Sequence, residues 1–327
     1  MAANPTDEML GLLSGYWYSQ VLYVTAELGI ADALAGGPRS AEALADETGC
    51  HANTLYRFLR AAASAGILRE DDSQRFSLTP LAETLRSDRP DSLRPLARLG
   101  GHPLHWQAWG SLLHSVKTGE TAFEAVHGES LFQALAADRA LTATFHRVLD
   151  WVDHLDGDVV DALDLGACER IVDVGGASGG LARRIAEAFP SASVILFDQS
   201  HVLALAQAAG RFDRVAGDFL ETVPHGGDAY VLKFVLHDWD DARATRILQN
   251  CRTAMLPHAR VFVVETVLRD DQAPSIAKTH DLNMLVLTGG RERRLDEYRS
   301  LFSAAGFELV SVKFTRHQVT ILEARSR

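Results

Sequence analysis

The sequence predicts an α/β fold: a Rossmann-like sheet in the carboxyl-terminal half and a mainly helical winged-helix domain before it. From Arg170 onward, short apolar runs alternate with helical patterns, as in a parallel sheet that is covered by helices. Before Arg170 the pattern is helical except for one short hairpin. A chain of 327 residues is long enough for two domains. We expect an amino-terminal domain at residues 1–100, bridging helices at 101–155 and a sheet domain at 156–327.

The charge and the cysteine content limit the partners of the chain. The formal net charge is −11, so the electric field of the protein repels nucleic acid and anionic membrane surfaces. No apolar run reaches the roughly 18 residues of a transmembrane helix, and the amino terminus has no signal-peptide pattern. Cys50, Cys168 and Cys251 are far apart and match neither a disulfide framework nor a zinc site. We expect a cytoplasmic protein with no metal, no nucleic acid and no membrane among its partners.

The first pattern along the chain is an apolar helix between Met9 and Leu34. Its apolar stripe and the aromatic residues around that stripe are Leu13, Trp17, Val21, Val24, Leu28, Tyr16, Tyr18 and Tyr23. Such a surface is either a satellite of the protein's own core or a subunit interface. The amount of aromatic surface on a terminal helix favours the interface, so we expect a homodimer formed through this domain.

The next pattern is helix, turn, helix and hairpin, which is the order of a winged-helix domain. Ser40 opens the first helix and Gly49 ends it, while Asn53 opens the second and Gly66 ends it. Residues 67–79 then form a hairpin. Winged helices often bind DNA, which makes a ligand-sensing regulator an alternative. The second helix carries only two arginines as basic residues and the whole chain is acidic, and both features disfavour that alternative.

Large aromatic side chains are concentrated in and just after the predicted bridging helices. These residues are His102, His105, Trp106, Trp109, Phe123, Phe132, Phe145 and Trp151. Each one taken alone is a typical core residue, but a group of them between two domains can line an aromatic pocket. We take Trp106 and Phe145 as substrate-pocket candidates.

A glycine-rich turn joins the first strand of the sheet to a helix. The strand at residues 171–174 runs into Gly175-Gly176-Ala177-Ser178-Gly179-Gly180, and a helix follows as far as Pro190. Such a turn lets a ligand lie against bare backbone at the amino terminus of the helix. A pyrophosphate-binding fingerprint needs glycine where Ala177 stands, which disfavours a nicotinamide-dependent oxidoreductase.

Acidic residues lie at or near the ends of three successive strands. Asp173 belongs to the first strand, Asp198 ends the second about 20 residues after the glycines, and Asp218 follows the third. A carboxylate at Asp198 suits the two hydroxyls of a ribose. Asp218 and Phe219 offer an acid and an aromatic ring to an adenine. The three acids therefore predict a nucleoside site whose ligand has no pyrophosphate.

A histidine follows the most apolar strand of the sheet. The run at residues 229–236 is interrupted only by Lys233 and predicts a buried strand that ends at His237, with Asp238 next to it. Ligands of open α/β sheets bind at the carboxyl ends of the strands, and a histidine titrates near neutrality. We expect His237 to act as a general base. Glu265 ends a further strand, so we expect its carboxylate at the same edge, where it accepts an imidazole N–H.

Six motifs in this order resemble one enzyme family. They are VDVGGASGG, LFD, GDF, LKFVLHDWDD, VVET and HDLNMLVLTGGRERRLDEY. The series is similar to that of the class I S-adenosylmethionine-dependent O-methyltransferases of the caffeic acid and hydroxyindole type. That family includes bacterial enzymes that act on phenazines, polyketides and other aromatic natural products. The resemblance covers nearly the whole chain, because the family also carries an amino-terminal winged-helix dimerisation domain.

The resemblance implies a role for each matched position. Cofactor contacts fall on Asp173, Gly175, Asp198, Gln199, Asp218, Phe219 and Lys233. The catalytic residues are His237 as base, with Asp238 beside it, and Glu265 and Glu292 as the acids that flank and orient it. Met284 and Leu285, in a helix-like run, are candidates for the apolar wall of the substrate pocket.

The expected function is transfer of the methyl group of S-adenosylmethionine to a hydroxyl of an aromatic small molecule. Two departures from the family pattern concern how the cofactor is held: Ala177 replaces a third glycine, and Gln199-Ser200 replaces a leucine-proline pair. Some relatives of the family have become decarboxylases, hydroxylases or pericyclic catalysts. The presence of His237, Glu265 and Glu292 argues against that alternative.

Overall fold

The computed structural model describes residues 4–204, 210–315 and 319–327, except for the side chain of His154. The chain divides into two compact units. The first comprises the chain through Trp106 together with Ala140–Trp151, and the second comprises Gln107–Arg139 together with Val152–Arg327. The segment 101–155, which the sequence predicted as bridging helices, thus contributes to both units.

Helices and strands follow one another in the order that the sequence patterns indicate. The helices are α1 (Pro5–Leu13), α2 (Gly15–Glu27), α3 (Ile30–Ala33), α4 (Ala41–Thr48), α5 (Ala52–Ser64), α6 (Pro80–Glu83), α7 (Arg94–Gly101), α8 (Pro103–Gly110), α9 (Leu112–Thr118), α10 (Ala122–His127), α11 (Leu131–Ala137), α12 (Arg139–Val152), α13 (Asp156–Ala162), α14 (Gly180–Ala188), α15 (Ser200–Leu203), α16 (Asp241–Ala254), α17 (Ile276–Leu287) and α18 (Leu295–Ala304). Short 3-10 turns lie at Asp153–Leu155 and Leu236–Asp238. The strands are β1 (Arg39–Ser40), β2 (Leu68–Glu70), β3 (Arg75–Leu78), β4 (Arg170–Val174), β5 (Ser193–Asp198), β6 (Asp213–Ala216), β7 (Ala229–Lys233), β8 (Arg260–Leu268), β9 (Arg293–Arg294), β10 (Phe307–Phe314) and β11 (Val319–Ser326).

The first unit contains the predicted helix, turn, helix and hairpin. The Ser40 side chain accepts the Ala43 N–H and opens α4, and Gly49 ends that helix at a φ of 69°. Strands β2 and β3 pair antiparallel, and β1 pairs with the outer side of β3. Apolar residues of α4, α5 and the hairpin form one buried cluster, so this unit has a core of its own.

The sequence predicted one continuous helix between Met9 and Leu34. This prediction is wrong, because the segment forms three helices, α1, α2 and α3. The chain breaks at Ser14, whose hydroxyl donates to the Leu10 carbonyl, and again at Gly29, which adopts a left-handed φ of 66°. The apolar surface that the sequence predicted for a partner is nevertheless present. Large exposed side chains on α1 and α2 are Met9, Leu10, Leu12, Leu13, Tyr16, Trp17, Tyr18 and Leu22.

The second unit is built on a mixed sheet. Within the described residues its strands run in the order β10-β11-β8-β7-β4-β5-β6, and β9 pairs with the end of β8. Strands β4 to β8 are parallel to one another, whereas β11 is antiparallel to both β8 and β10. The strand order reverses between β4 and β7. In open α/β sheets the ligand crevice lies at the carboxyl ends of the strands at such a reversal.

Each face of this sheet has its own apolar core. Val172 of β4 and Leu232 of β7 pack with residues of α16 and α18 on one face. Ile171 and Val231 of the same strands pack with residues of α13 and α14 on the other face. Because side chains alternate along a strand, Asp173 and Lys233 point to the α13 and α14 face.

Candidate active site

The glycine-rich turn after β4 leaves no space for a side chain at Gly175 or Gly176. A Cβ on Gly175, whose φ is 71°, would approach the Val235 side chain to 2.9 Å. A Cβ on Gly176 would come within 2.4 Å of Asp173 Oδ2. Ala177 also adopts a left-handed φ of 49°, a conformation that favours glycine. The backbone of this turn therefore packs closely against its neighbours at the point where β4 and β7 diverge.

Asp198 forms a hydrogen bond with the glycine-rich turn. Its Oδ2 accepts the Ala177 N–H at 2.9 Å, and its Oδ1 accepts the Gln199 N–H at 2.7 Å. Burial raises the pKa of Asp198, although these two backbone donors oppose the shift. Gln199 itself is exposed. The predicted ribose acid thus lies beside the glycine-rich backbone, with lone pairs left over for further donors.

Asp218 and Phe219 follow β6 and complete the same edge of the sheet. Asp218 Oδ1 accepts the Leu220 N–H at 2.8 Å and so shapes its own loop. The Phe219 ring would lie 3.4 Å from a Cβ on Gly175 and makes an edge-to-face contact with Trp239. The predicted aromatic and acidic pair therefore lies next to the turn.

Asp173 is a buried acid without hydrogen bonds. It is 1% exposed, and neither carboxylate oxygen has a hydrogen-bond partner within the described part of the chain. Burial raises its pKa to about 7, and only the nearby Lys233 charge lowers it. A buried acceptor of this kind at a ligand crevice fits a donor that a bound molecule brings.

The Lys233 ammonium forms a buried ion pair that the sequence did not reveal. Its Nζ lies 3.0 Å from Asp153 Oδ1 and 2.5 Å from Asp156 Oδ1. Burial alone would lower the pKa of Lys233, but these two acids raise it. Gly180 makes room for Asp153, because a Cβ there would overlap the carboxylate. The cofactor contact predicted for Lys233 stays a prediction.

The strand that leads to His237 is shorter than the sequence predicted. Strand β7 ends at Lys233, Phe234 takes a left-handed φ of 53°, and His237 lies in the 3-10 turn Leu236–Asp238. The prediction of a strand through Leu236 is therefore wrong. The reason is Glu265, whose Oε1 accepts the backbone N–H groups of Val235, Leu236 and His237 at 3.2, 2.9 and 3.2 Å.

His237 is held by Glu292. Its Nδ1 lies 3.0 Å from Glu292 Oε1 and 3.5 Å from Glu265 Oε2, and only the first contact is a hydrogen bond. The hydrogen bond to imidazole that was expected from Glu265 is thus made by Glu292, while Glu265 holds the backbone. Asp238 Oδ1 lies 4.0 Å from Nε2 on the other side of the ring. The Phe234 ring stacks on the imidazole with centroids 5.6 Å apart.

The charges around the imidazole shift three pKa values. Burial by itself would lower the pKa of His237, but Glu265, Asp238 and Glu292 together raise it to about 10. Burial and the neighbouring carboxylates raise the pKa of Glu265 to about 7, against the pull of His237. Burial would also raise the pKa of Glu292, yet hydrogen bonds from His237 and His280 lower it to about 2. The opposite shifts of the two pKa values show that the positive charge of His237 and the negative charge of Glu292 stabilise each other.

Two residues of this site were missed from the sequence. His280 donates from Nδ1 to the same Glu292 Oε1 at 2.8 Å. Arg293 is fully buried and donates to the carbonyls of Leu236 and Trp239, so it braces the turn that carries His237. His280 stands four residues before the predicted Met284, and Arg293 follows the predicted Glu292, but neither spacing marks a role by itself.

The predicted substrate-pocket residues fall in both units. Met284 is buried and Leu285 half-buried on α17, in the second unit. Trp109 Nε1 donates to the neighbouring Asn283 side chain at 2.8 Å, which fixes that helix against α8 residues of the same unit. Trp106 and Phe145 are half-buried and belong to the first unit. A pocket lined by all four residues stays a prediction.

Two family models match the chain. Residues 109–308 match the O-methyltransferase domain, and residues 10–88 match the O-methyltransferase dimerisation domain. The chain belongs to the O-methyltransferase family. It is 44% identical to the phenazine O-methyltransferase PhzM of Lysobacter antibioticus over 97% of this chain and 95% of that protein. It is 38% identical to the 3-amino-4-hydroxybenzoate 4-O-methyltransferase of Streptomyces cremeus over 93% and 86% of the two chains.

Solved structures agree with this membership. The crystal structure of LaPhzM superimposes with a TM-score of 0.94 at 42% identity and covers 99% of this chain and 100% of that chain. The structure of NcsB1 with S-adenosylmethionine and 2-hydroxy-5-methyl naphthoic acid gives a TM-score of 0.85 at 31% identity, over 95% and 96% of the two chains. This O-methyltransferase uses S-adenosylmethionine as its cofactor. Its relatives from Lysobacter antibioticus and Streptomyces cremeus are named for aromatic substrates. No helix of the described residues is long and apolar enough to cross a membrane.

Proposed function

We propose that this chain methylates a phenolic hydroxyl of a planar, fused-ring natural product, with a hydroxyphenazine as the first acceptor to test. The observation that carries the proposal is the 44% identity, along nearly the whole chain, to an enzyme named a phenazine O-methyltransferase. The naphthoic acid held by the solved relative NcsB1 is also a fused planar ring with a hydroxyl. We further propose that the protein acts in the cytoplasm.

The carboxyl edge of the sheet is where we place the cofactor. Bound S-adenosylmethionine supplies a sulfonium methyl group that is already activated for transfer. The backbone at Gly175 and the Asp173 carboxylate, which has no hydrogen-bond partner among the described residues, fit its polar parts, and Asp198 can accept from ribose hydroxyls beside the turn. The residues that we assign to the cofactor are Asp173, Gly175, Asp198, Gln199, Asp218, Phe219 and Lys233.

His237 is the proposed general base. An ionised carboxylate only accepts hydrogen bonds, so Glu292 fixes a proton on Nδ1 and leaves the Nε2 lone pair for the proton of the acceptor hydroxyl. A phenol has a pKa of about 10, and an ordinary imidazole of pKa about 6.5 would take its proton at a cost of about 5 kcal/mol. The neighbouring carboxylates raise the pKa of His237, which lowers the cost of that transfer to the neutral ring.

The supporting residues have separate tasks. Glu265 holds the turn that presents His237 through three backbone N–H groups. Asp238 lies on the Nε2 side of the ring, where its charge favours the imidazolium that forms. We assign the apolar wall over the acceptor to Met284 and Leu285, together with Trp106 and Phe145.

We also propose that the protein works as a homodimer. The dimerisation-domain match covers residues 10–88, and the exposed apolar side chains of α1 and α2 lie in or next to that range. Such a large exposed apolar face is typical of a subunit interface.

The acceptor is tested by mass spectrometry of reactions with S-adenosylmethionine. The panel contains hydroxyphenazines, hydroxynaphthoates and simple phenols. We expect one methyl group to be added to a hydroxyphenazine, with one equivalent of S-adenosylhomocysteine. Methylation of the simple phenols alone would contradict the fused-ring proposal.

The base is tested by His237→Gln, with His258→Gln as the matched control. His258 is largely exposed and pairs with Asp228 at the amino end of β7, away from the site. We expect His237→Gln to lower turnover about 10²–10⁴-fold, the usual contribution of a positioned base, and to leave the affinity for S-adenosylhomocysteine within a few-fold. The control is expected to behave as wild type. Near-normal turnover in His237→Gln would make the base assignment wrong.

A further inference from the structure

Three potential metal ligands converge at the base. One ligand atom each of His237, His280 and Glu292 lies within 4.8 Å of the others. Glu292 Oε1 is 3.0 Å from His237 Nδ1 and 2.8 Å from His280 Nδ1. The second oxygen of Glu292 is buried and has no hydrogen-bond partner among the residues that the structure describes. Oε1 of Glu292 thus lies beside two imidazole nitrogens, while Oε2 has lost its hydration on burial without replacement among the described residues, and a bound cation would compensate the charge of this carboxylate.

We propose that His237, His280 and Glu292 bind a transition-metal cation such as Zn²⁺, and that the bound cation reversibly stops methyl transfer. Two imidazoles and one carboxylate are a known ligand set of zinc enzymes, with bonds of about 2.0–2.2 Å. In a tetrahedron with bonds of that length, ligand atoms are about 3.3 Å apart. The N···O contacts of 2.8 and 3.0 Å would lengthen to this distance, and the two histidine ligand atoms, which lie within 4.8 Å of each other, would adopt it as well.

The exposure of one of the three ligands allows an ion to reach the site from the solvent. The side chain of His280 is 43% exposed, whereas those of His237 and Glu292 are 10% and 1% exposed. His280 thus reaches the solvent and the other two ligands lie behind it. Three protein ligands leave the fourth position of a zinc ion to water.

The chemistry of imidazole explains why such an ion stops the reaction. Metal binding at Nδ1 displaces the proton of that nitrogen to solvent and forms a metal–nitrogen bond. A neutral imidazole then carries its one remaining proton on Nε2. Nε2 has no lone pair left for the proton of the acceptor hydroxyl, so the ion removes the base without touching the cofactor site. This inhibition rests on the base assignment proposed above, whereas binding of the ion does not.

Binding is measured first, on tag-free protein, by titration calorimetry with Zn²⁺ and by the visible spectrum of bound Co²⁺. We expect one ion per chain and a tetrahedral Co²⁺ spectrum. His280→Gln is expected to weaken Zn²⁺ binding at least about 10–100-fold, since losing even a hydrogen-bond partner of a ligand has that effect. His258→Gln removes an exposed histidine elsewhere and is expected to bind as wild type. His280→Ala serves as a second variant, with thermal unfolding as the folding check for both.

Inhibition is measured second, by methyl transfer at rising Zn²⁺ and after addition of a chelator. We expect turnover to fall as the site fills and to return with the chelator, and His280→Gln to need a higher Zn²⁺ concentration for the same inhibition. Mg²⁺, which prefers oxygen ligands, is expected to have no effect. Absence of stoichiometric binding, or equal Zn²⁺ affinity in wild type and both His280 variants, overturns the proposed site. Stoichiometric binding without inhibition overturns the block of the base and leaves the site standing.

Discussion

Two glutamates beside His237 differ in what they touch, and this difference predicts different consequences of their removal. Glu292 accepts the imidazole Nδ1–H, so its charge acts on the proton affinity of the ring. Glu265 accepts three backbone N–H groups, so its oxygen acts on the conformation of the turn. Changes at Glu292 should therefore appear in the chemistry, whereas changes at Glu265 should appear in the stability as well as in the chemistry, since its charge also raises the pKa of His237.

Glu292→Gln is expected to shift the pH dependence of methyl transfer. The base acts when His237 is neutral, so kcat/KM falls as the pH falls below the pKa of His237, which the carboxylates raise to about 10. Removing the Glu292 charge lowers that pKa, and the acid limb of the profile moves to lower pH. The maximum rate should also fall about 10–100-fold, because an amide in place of the carboxylate no longer fixes the tautomer. Initial rates between pH 6 and about 10 check this; an unmoved acid limb would contradict it.

Glu265→Leu is expected to destabilise the fold more than Glu265→Gln. The leucine leaves three buried N–H groups without an acceptor, at about 1–3 kcal/mol each, so we expect a loss of at least about 3 kcal/mol. Glutamine keeps a carbonyl oxygen at the same place and should cost about 1 kcal/mol. Urea unfolding, followed by tryptophan fluorescence, compares the two variants. Equal unfolding midpoints would mean that the Glu265 oxygen does not hold the turn.

At the scale of elements, the turn between β4 and α14 lies at the carboxyl edge of the sheet, where we place the cofactor. Ala177 is the strained residue of this turn. A left-handed φ costs a non-glycine residue about 1–2 kcal/mol, and glycine in its place costs about 0.4–1 kcal/mol of unfolded-chain entropy. Ala177→Gly should therefore stabilise the protein by roughly 0.5–1 kcal/mol and leave the affinity for S-adenosylhomocysteine within a few-fold.

Ala177→Val is the opposing variant at the same position. A β-branched residue is a conformational outlier at positive φ, so the turn has to move and the Ala177 N–H leaves Asp198. We expect at least about 10-fold weaker binding of S-adenosylhomocysteine by calorimetry, the change that corresponds to about 1.4 kcal/mol. If Ala177→Val bound S-adenosylhomocysteine with wild-type affinity, the hydrogen bond from the Ala177 N–H to Asp198 would not be needed for cofactor binding.

The elements also show how far the sequence could predict the site. Periodicity and turn residues were sufficient for the glycine-rich turn, Asp198 and the apolar run before His237, because these features are local in the chain. The end of β7 was not predictable, since it depends on Glu265 lying opposite Val235 after folding. The partners of Lys233 stand about 80 residues earlier in the chain and carry no local signal. His280 was missed for the same reason, because its role comes from the shared oxygen of Glu292.

At the scale of the whole molecule, the second unit keeps its two charged clusters on opposite faces of one sheet. Lys233 and its acids lie on the α13 and α14 face, as the alternation along β7 requires. Glu265, one residue after Val264 on β8, points to the α16 and α18 face, where it reaches the turn of His237. Lys233 ends β7 and pairs in register with Val264, the residue before Glu265, so both clusters lie at the carboxyl end of β7.

The exposed face of α1 and α2 in the first unit predicts the oligomeric state. Leu13, the last residue of α1, and Trp17 of α2 are 64% and 60% exposed. Burial of such side chains in an interface contributes about 2 kcal/mol or more each, so charges in their place should weaken dimerisation at least about 100-fold. We expect sedimentation velocity to give a dimer for wild type and a monomer for the double variant Leu13→Glu, Trp17→Glu. Val310→Glu, at a 42% exposed apolar residue of β10, adds a charge elsewhere and should stay dimeric. A double variant that remains dimeric at the wild-type dissociation constant would place the interface on another surface.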